Sequence, residues 1–211
     1  MKERPILFSA PMVRALLAGK KTQTRRNVKP RKDLGFGCLL VPGELAGEVN
    51  NGSYENSPYG QPGDRLWVRE NGWERPERTP KMMREGADTW APYYYDAYGW
   101  DEQDRADFKQ WGFKCRPSIH MPRWASRITL EIVSVRVERL QDISEKDCMA
   151  EGISLNACVS AGCLSAWDVS EIGRQSYRLG YANLWQSING PGSWAANPYV
   201  WVIEFKKAIN K

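Results

Sequence analysis

The sequence has one histidine, His120, and no Cys-x-x-Cys pair. A multi-histidine metal centre therefore cannot be built, and a standard zinc site is excluded. Five cysteines, Cys38, Cys115, Cys148, Cys158 and Cys163, are an odd number without a framework pattern, which fits reduced thiols in a cytosol better than disulfides. No apolar run approaches the length of a membrane span. The N-terminal stretch starts with charge, but Pro5 and Pro11 interrupt its short apolar part and no small-residue cleavage site follows, so it reads as mature cytoplasmic sequence. Neither charge sign dominates: 30 Lys and Arg against 25 Asp and Glu leave +5, a moderate excess that favours anionic partners without requiring them. The expectation from these absences is chemistry without a metal or cofactor, and no membrane partner.

What is abundant is aromatic. Ten tryptophans and nine tyrosines among 211 residues are a heavy load. Flat rings interleaved with Arg and Lys serve nucleobase stacking, and rings of this kind also fill cores. At 42% hydrophobic and 26% charged the chain is composed like an ordinary globular protein, long enough to bury a core as one elaborated domain or two small ones.

Along the chain, Pro11 to Leu17 predicts a short helix with Gly19 as its stop, and TQTR then begins a strand. Residues 33–62 carry many Gly, Pro, Asn and Ser and read as a long irregular loop. GDRLWVRE predicts a turn and a strand, with Leu66 and Val68 on one face and Trp67 on the other. Residues 71–117 lack sustained periodicity and read as an insertion with one short helix in DEQDRADFKQW. RITLEIVSVRVERL is the strongest strand signal, and its apolar positions change parity near Ile132, as in a strand that bulges or coils around a small barrel. Ser144 with Asp147 resembles a capping box for a helix ended by Gly152. Residues 156–170 read as a loop rich in small residues. A further helix over 172–188 places Tyr177, Tyr181, Leu184, Trp185 and Ile188 on one stripe, and YVWVIEF closes the chain as an apolar strand. The expected fold is α+β: a small β-barrel flanked by helices, in one domain over 1–211, with insertions at about 33–62, 71–117 and 154–171.

The order of these pieces carries a resemblance. A glycine-ended helix, a Lys-Thr-x-Thr-x-Arg strand in GKKTQTRR, Gly-Asp-x-Leu-x-Val, a long strand, a Ser-Glu-Lys helix carrying Ala-Glu, and Tyr-Val-Trp-Val-Ile-Glu-Phe together resemble the ASCH domain of the PUA-like superfamily. Within it the likeness is to the small bacterial N4-acetylcytidine amidohydrolases. The matching stretches, Gly19 to Arg26, Gly63 to Val68, Ser144 to Ile153 and Tyr199 to Phe205, cover less than half of the chain. RPSIHMPRWASR resembles longer, phage-type members. The resemblance implies a barrel that holds a nucleoside or nucleic-acid base, and a catalytic trio of lysine, threonine and glutamate. Matched position by position, these are Lys21, Thr24 and Glu151, with Glu70 or Glu145 as alternative glutamates.

Hydrolysis of an N4-acyl cytosine needs a nucleophile, a base for its proton and an acid for the departing nitrogen. Thr24, Lys21 and Glu151 offer one residue type for each. Lys20, Arg25 and Arg26 crowd positive charge around Lys21, which pushes it toward its neutral form, as burial would. Residues three apart point to opposite faces of a strand, so Lys21 must sit in the turn after Gly19 to serve Thr24. A KKTQTRR run is also what a solvated or anion-contacting face looks like. Expected substrate contacts are Arg26, Trp67, Glu70, His120, Arg123 and Trp124, with PYYYDAYGW as an aromatic lid or as packing for its own small core.

The leading expectation is an amidohydrolase acting on N4-acylated cytidine or cytosine, with a nucleoside as partner, possible RNA contact and room for acyl groups bulkier than acetyl. The alternatives are a non-catalytic RNA or DNA base-binding module, and a phage accessory protein whose aromatics bind another protein.

Overall fold

Short strands and helices alternate along the chain. The computed structural model describes residues 1–75, 84, 91–153 and 175–208. In chain order the elements are β1 (Glu3–Leu7), α1 (Ala10–Leu17), β2 (Gln23–Asn27), β3 (Arg31–Lys32), β4 (Leu39–Leu40), α2 (Pro42–Asn50), β5 (Arg65–Arg69), β6 (Gly72–Glu74), β7 (Tyr93–Tyr95), α3 (Glu102–Gln110), β8 (Lys114–Arg116), β9 (Thr129–Arg139), α4 (Glu145–Ala150), α5 (Gln175–Asn189) and β10 (Tyr199–Lys207). This is a mixed α+β fold. Its main sheet has the order β1-β5-β9-β10-β2, beside a β3-β4 hairpin and a small β7-β6-β8 sheet. With β1 and β2 as outer strands, the described strands form an open sheet and not the closed barrel expected from the sequence. No helix among the described residues is long and apolar enough to cross a membrane.

By its contacts the chain divides into two compact units. The first comprises Met1–Lys2, Ala15–Arg65 and Glu131–Lys206; the second comprises Glu3–Arg14, Leu66–Leu130 and Lys207–Lys211. The first unit holds a core of Leu140, Ile143, Cys148, Tyr181, Trp185, Val200 and Val202. Two of those residues, Tyr181 and Trp185, are the middle of the predicted α5 stripe, while Ile188 at its end is exposed. The Cys148 thiol is pushed up to about 12, chiefly by burial, so it behaves as a small apolar side chain. Cys38 and Cys115 are free and exposed; Cys158 and Cys163, with the predicted loop at 156–170, lie outside the described residues.

Residues 33–62 depart from the irregular loop expected of their composition. They contain α2, which starts at Pro42, a residue that costs nothing where the first-turn N–H groups lack partners. Leu45, Ala46 and Val49 bury its inner face. The described residues of 71–117 also build structure of their own. In the second unit Trp73, Phe108 and Phe113 form a cluster joined by Tyr94 and Trp100, with Trp73 and Phe108 stacked at 5.4 Å. The aromatic insertion packs its own core, and only Tyr98 of PYYYDAYGW is strongly exposed among its large apolar side chains. In β9 the predicted parity change is visible: Leu130 and Ile132 are buried, Val133 is exposed, and Val135 and Val137 are buried.

Candidate active site

The site is assembled from the start of β2 and the end of α4, both in the first unit. Gly19 has φ +69° and turns the chain out of α1, so the strand begins only at Gln23. Lys21 thus precedes the strand and escapes its alternation, which is the condition for a lysine three residues before Thr24 to serve it. Thr22 is tied on both sides: its N–H donates to the Ala150 carbonyl at 2.8 Å, and its own carbonyl accepts from the Phe205 N–H at 2.9 Å. At the other end, Ser144 caps α4 by accepting from the Asp147 N–H at 3.1 Å, and six helical residues later Glu151 is the C-cap.

The Lys21 ammonium points inward. Nζ donates to Glu151 Oε2 at 2.5 Å and to the Glu151 backbone carbonyl at 2.9 Å. The two side chains are 1% and 6% exposed. Burial pulls the Lys21 pKa below its ordinary value; Glu151 opposes this, and the Arg26 and Arg25 cations reinforce it. Gly152 makes room for the pair. Its φ is +88°, and a Cβ there would stand 3.2 Å from Ala15 Cβ and 3.3 Å from Lys21 Cβ.

Behind the pair lies a network that sequence reasoning missed. Arg25 is fully buried in its side chain; Nη2 donates to Glu138 Oε1 at 2.6 Å and lies 3.4 Å from Asp147 Oδ2, while Nη1 stands 3.9 Å from Glu151 Oε1 and donates to Gln23 Oε1. Gln23 Nε2 donates to Asp147 at 3.0 Å and Glu204 at 3.2 Å. Arg136 Nη1 donates to Glu204 at 2.5 Å and Nε to Glu138 at 2.9 Å. Buried charges survive only when paired in this way. The one signal in the sequence was that a strand entering the core carries Gln and Arg at alternate positions; the distant acidic partners had none.

Side chains alternate along β2, so Gln23 and Arg25 share one face and Thr24 and Arg26 the other. Thr24 is 1% exposed and pairs with Ile203; Arg26 pairs with Trp201. The Trp201 ring meets Tyr59 edge-on at 6.1 Å, and the Arg26 charge acts on the Tyr59 hydroxyl, whose pKa burial raises. Trp201 and Tyr59 were not among the expected contacts.

The remaining expected contacts belong to the second unit. Both carboxylate oxygens of Glu70 accept from Arg127, at 2.9 and 3.0 Å, and that guanidinium lies 3.9 Å from the Tyr95 ring centre and 4.7 Å from that of Tyr98. The Trp67 ring is buried beneath the Arg69 guanidinium at 4.6 Å and near that of Arg123 at 5.6 Å. Arg123 in turn donates to Glu3 at 3.0 Å. Trp124 is exposed and edge-on to Tyr93, and exposed His120 ends a short turn of 3₁₀ helix. The alternative Glu145 lines a cavity of about 500 Å³ with Ile143, Ser144, Arg178 and Trp194, whose lining does not include Lys21 or Thr24. No cluster of metal-ligating side chains occurs among the described residues.

Compared with protein families, with curated proteins and with solved structures, the chain finds no match.

Proposed function

We propose that the chain is an amidohydrolase that removes the acyl group from N4-acylated cytidine or cytosine, as its resemblance to the ASCH-type N4-acetylcytidine amidohydrolases of the PUA-like superfamily implies. One observation carries the reading: the buried Lys21–Glu151 pair, with Nζ and Oε2 2.5 Å apart, at the mouth of the strand that bears Thr24. The hydrogen bond between them is the route by which the ammonium can pass its proton to the carboxylate. Once it passes to Glu151, Lys21 is a neutral amine and Glu151 a carboxylic acid. Glu151 neighbours Arg25, which lies on the opposite face of β2 from Thr24, so the step requires Lys21, in the turn before the strand, to reach across to the Thr24 hydroxyl and take its proton as Oγ1 bonds to the acyl carbon. The C–N4 bond breaks, Glu151 gives its proton to the departing nitrogen, and the acyl group rests on Thr24 as an ester. Water adds to that ester, leaving a carboxylate and restoring the threonine.

Burial serves this chemistry in two ways. It lowers the pKa of Lys21, and it keeps bulk water from competing with Thr24. Half-buried Arg26, on the Thr24 face of β2, offers a cation for a base carbonyl, while the Trp201 ring opposite it belongs to the core. Incubation with N4-acetylcytidine and N4-benzoylcytidine, followed by chromatography for cytidine, tests the reading. Wild type releases cytidine. Thr24→Ala and Lys21→Met reduce kcat by about 100-fold or more, and mass spectrometry of a slow-substrate reaction finds one acyl group on Thr24. Intact substrate with saturable nucleoside binding would leave a base-binding module in place of an enzyme.

A further inference from the structure

The fully buried guanidinium of Arg25 stands among three carboxylates, all in the first unit. Two of them hold one end of it: Nη2 donates to Glu138 Oε1 at 2.6 Å and lies 3.4 Å from Asp147 Oδ2. Gln23 holds the other end by accepting from Nη1. Anchored in this way, Nη1 stands 3.9 Å from Glu151 Oε1, close enough for charge to act but beyond a hydrogen bond. Glu151 Oε1 accepts no hydrogen bond among the described residues, while Oε2 accepts from Lys21 at 2.5 Å.

That gap has a chemical consequence. An arginine closed on a carboxylate by two parallel N–H bonds holds it ionised, and Glu151 held so would take no proton from Lys21. With the arginine gone, the Lys21 ammonium would lose a neighbouring cation that works against it, and would keep its proton. The observed spacing lies between these extremes. The other groups facing the pair come from five elements. In β2, half-buried Arg26 adds a second cation. In α4, Asp147 is engaged by Gln23 and Ser144, and the buried Cys148 thiol stays neutral. In α5, burial keeps the Tyr181 hydroxyl protonated. Glu138 in β9 and Glu204 in β10 are shared with Arg136, and Gln23 donates to Glu204 as well.

We propose that Arg25 is a positioning residue of this site: Glu138 and Asp147 hold its guanidinium at a set distance from Glu151, and that distance decides where the proton of the Lys21–Glu151 pair resides. Arg25 acts through Glu151 and not on substrate, because it lies on the face of β2 opposite Thr24. The consequence for hydrolysis rests on the function proposed above; the effect on the pair does not.

Carbon-13 NMR of the Lys21 Cε resonance, assigned by its loss in Lys21→Met, follows the pair in the free protein without any catalysis. Arg25→Gln moves the Lys21 titration upward. Glu138→Gln, an isosteric change in a side chain 20% exposed, moves it downward, because a less restrained guanidinium closes on Glu151. Arg25→Lys keeps a cation and titrates nearer to wild type than Arg25→Gln does. A merely structural arginine would lower the melting temperature in these variants and move no titration. In hydrolysis of N4-acetylcytidine the pH profile of kcat/KM shifts in the same two directions, and Glu138→Gln lowers kcat at neutral pH about tenfold with KM unchanged. Unmoved titrations, or titrations that move the same way in Arg25→Gln and Glu138→Gln, overturn the proposal whether or not the nucleoside is hydrolysed. If Arg25→Gln does not fold, Glu138→Gln decides alone, and a titration at or above that of wild type overturns the proposal. Titrations as expected with no hydrolysis of N4-acetylcytidine or N4-benzoylcytidine remove the function proposed above and leave the hold of Arg25 on the pair intact.

Discussion

Lys21 is the residue on which the chemistry turns, and its environment can be tuned from outside. Burial lowers its pKa below 10.5, Glu151 opposes, and the cations of Arg26 and Arg25 reinforce. Arg26 is half-buried at the sheet edge, so Arg26→Gln removes a cation at small structural cost. Without that cation the ammonium form of Lys21 is less disfavoured, and its titration moves upward. Carbon-13 NMR of the lysine Cε resonances in the free protein measures this directly, whatever the substrate; an unchanged or lower titration point would show that the Arg26 charge does not reach Nζ. Gly152 gives a second test at the same scale. Gly152→Ala forces an alanine to φ +88° and brings its Cβ within 3.3 Å of Ala15 and Lys21. The expected loss is about 1–3 kcal/mol of unfolding free energy in urea, and a neutral result would mean that the chain leaving α4 yields easily.

At the scale of the element, α4 is six residues long and too short to persist alone, so its cap and its packing decide whether Glu151 is presented. Ser144→Ala removes the oxygen that accepts the Asp147 N–H and costs about 1 kcal/mol. Chemical unfolding measures it, and the Lys21 titration in the same variant reports whether fraying reaches Glu151. This helix was readable in advance because its signals are local: Ser144 and Asp147 three apart, then Gly152. The same holds for α1 with Gly19 as its stop, for β5 and for β10. Elements set by distant contacts were not readable. In α2, glycines at positions 43 and 47 disguise a helix whose Leu45, Ala46 and Val49 face is stabilised by burial. The three-residue strands β6, β7 and β8 are specified by pairing with one another, Trp73 opposite both Tyr94 and Cys115, and have no periodicity of their own. For the site, Lys21 and Glu151 were readable through motif order. The Arg25 network was not, because Glu138, Asp147 and Glu204 come from three other elements.

Across the whole molecule, acid is expected to act unevenly. Among the described carboxyl groups, Asp33, Asp147 and Glu204 have pKa values below their ordinary 3.8, 3.8 and 4.5, and all three belong to the first unit. For Asp33 the main cause is the Phe36 N–H. For Asp147 and Glu204 burial works the other way, but hydrogen bonds from Gln23 and Ser144, and from Arg136, outweigh it. A carboxyl group with a depressed folded value stabilises the fold above its unfolded value and loses that contribution as pH falls through the folded one. Protonation therefore removes stability from the first unit as pH drops below about 4.5. It also takes Asp147 from buried Arg25 and Glu204 from half-buried Arg136. The second unit also holds the Glu70–Arg127 pair, but its β6-β7-β8 sheet packs on a ring cluster of Trp73, Phe108, Phe113 and Tyr94, whose contacts do not depend on protonation. Hydrogen exchange between pH 6 and pH 3 should then show amides of β2, β10 and the β3-β4 hairpin losing protection before those of β6, β7 and β8. Simultaneous loss in both sets would mean that the buried network around Arg25 does not govern acid stability.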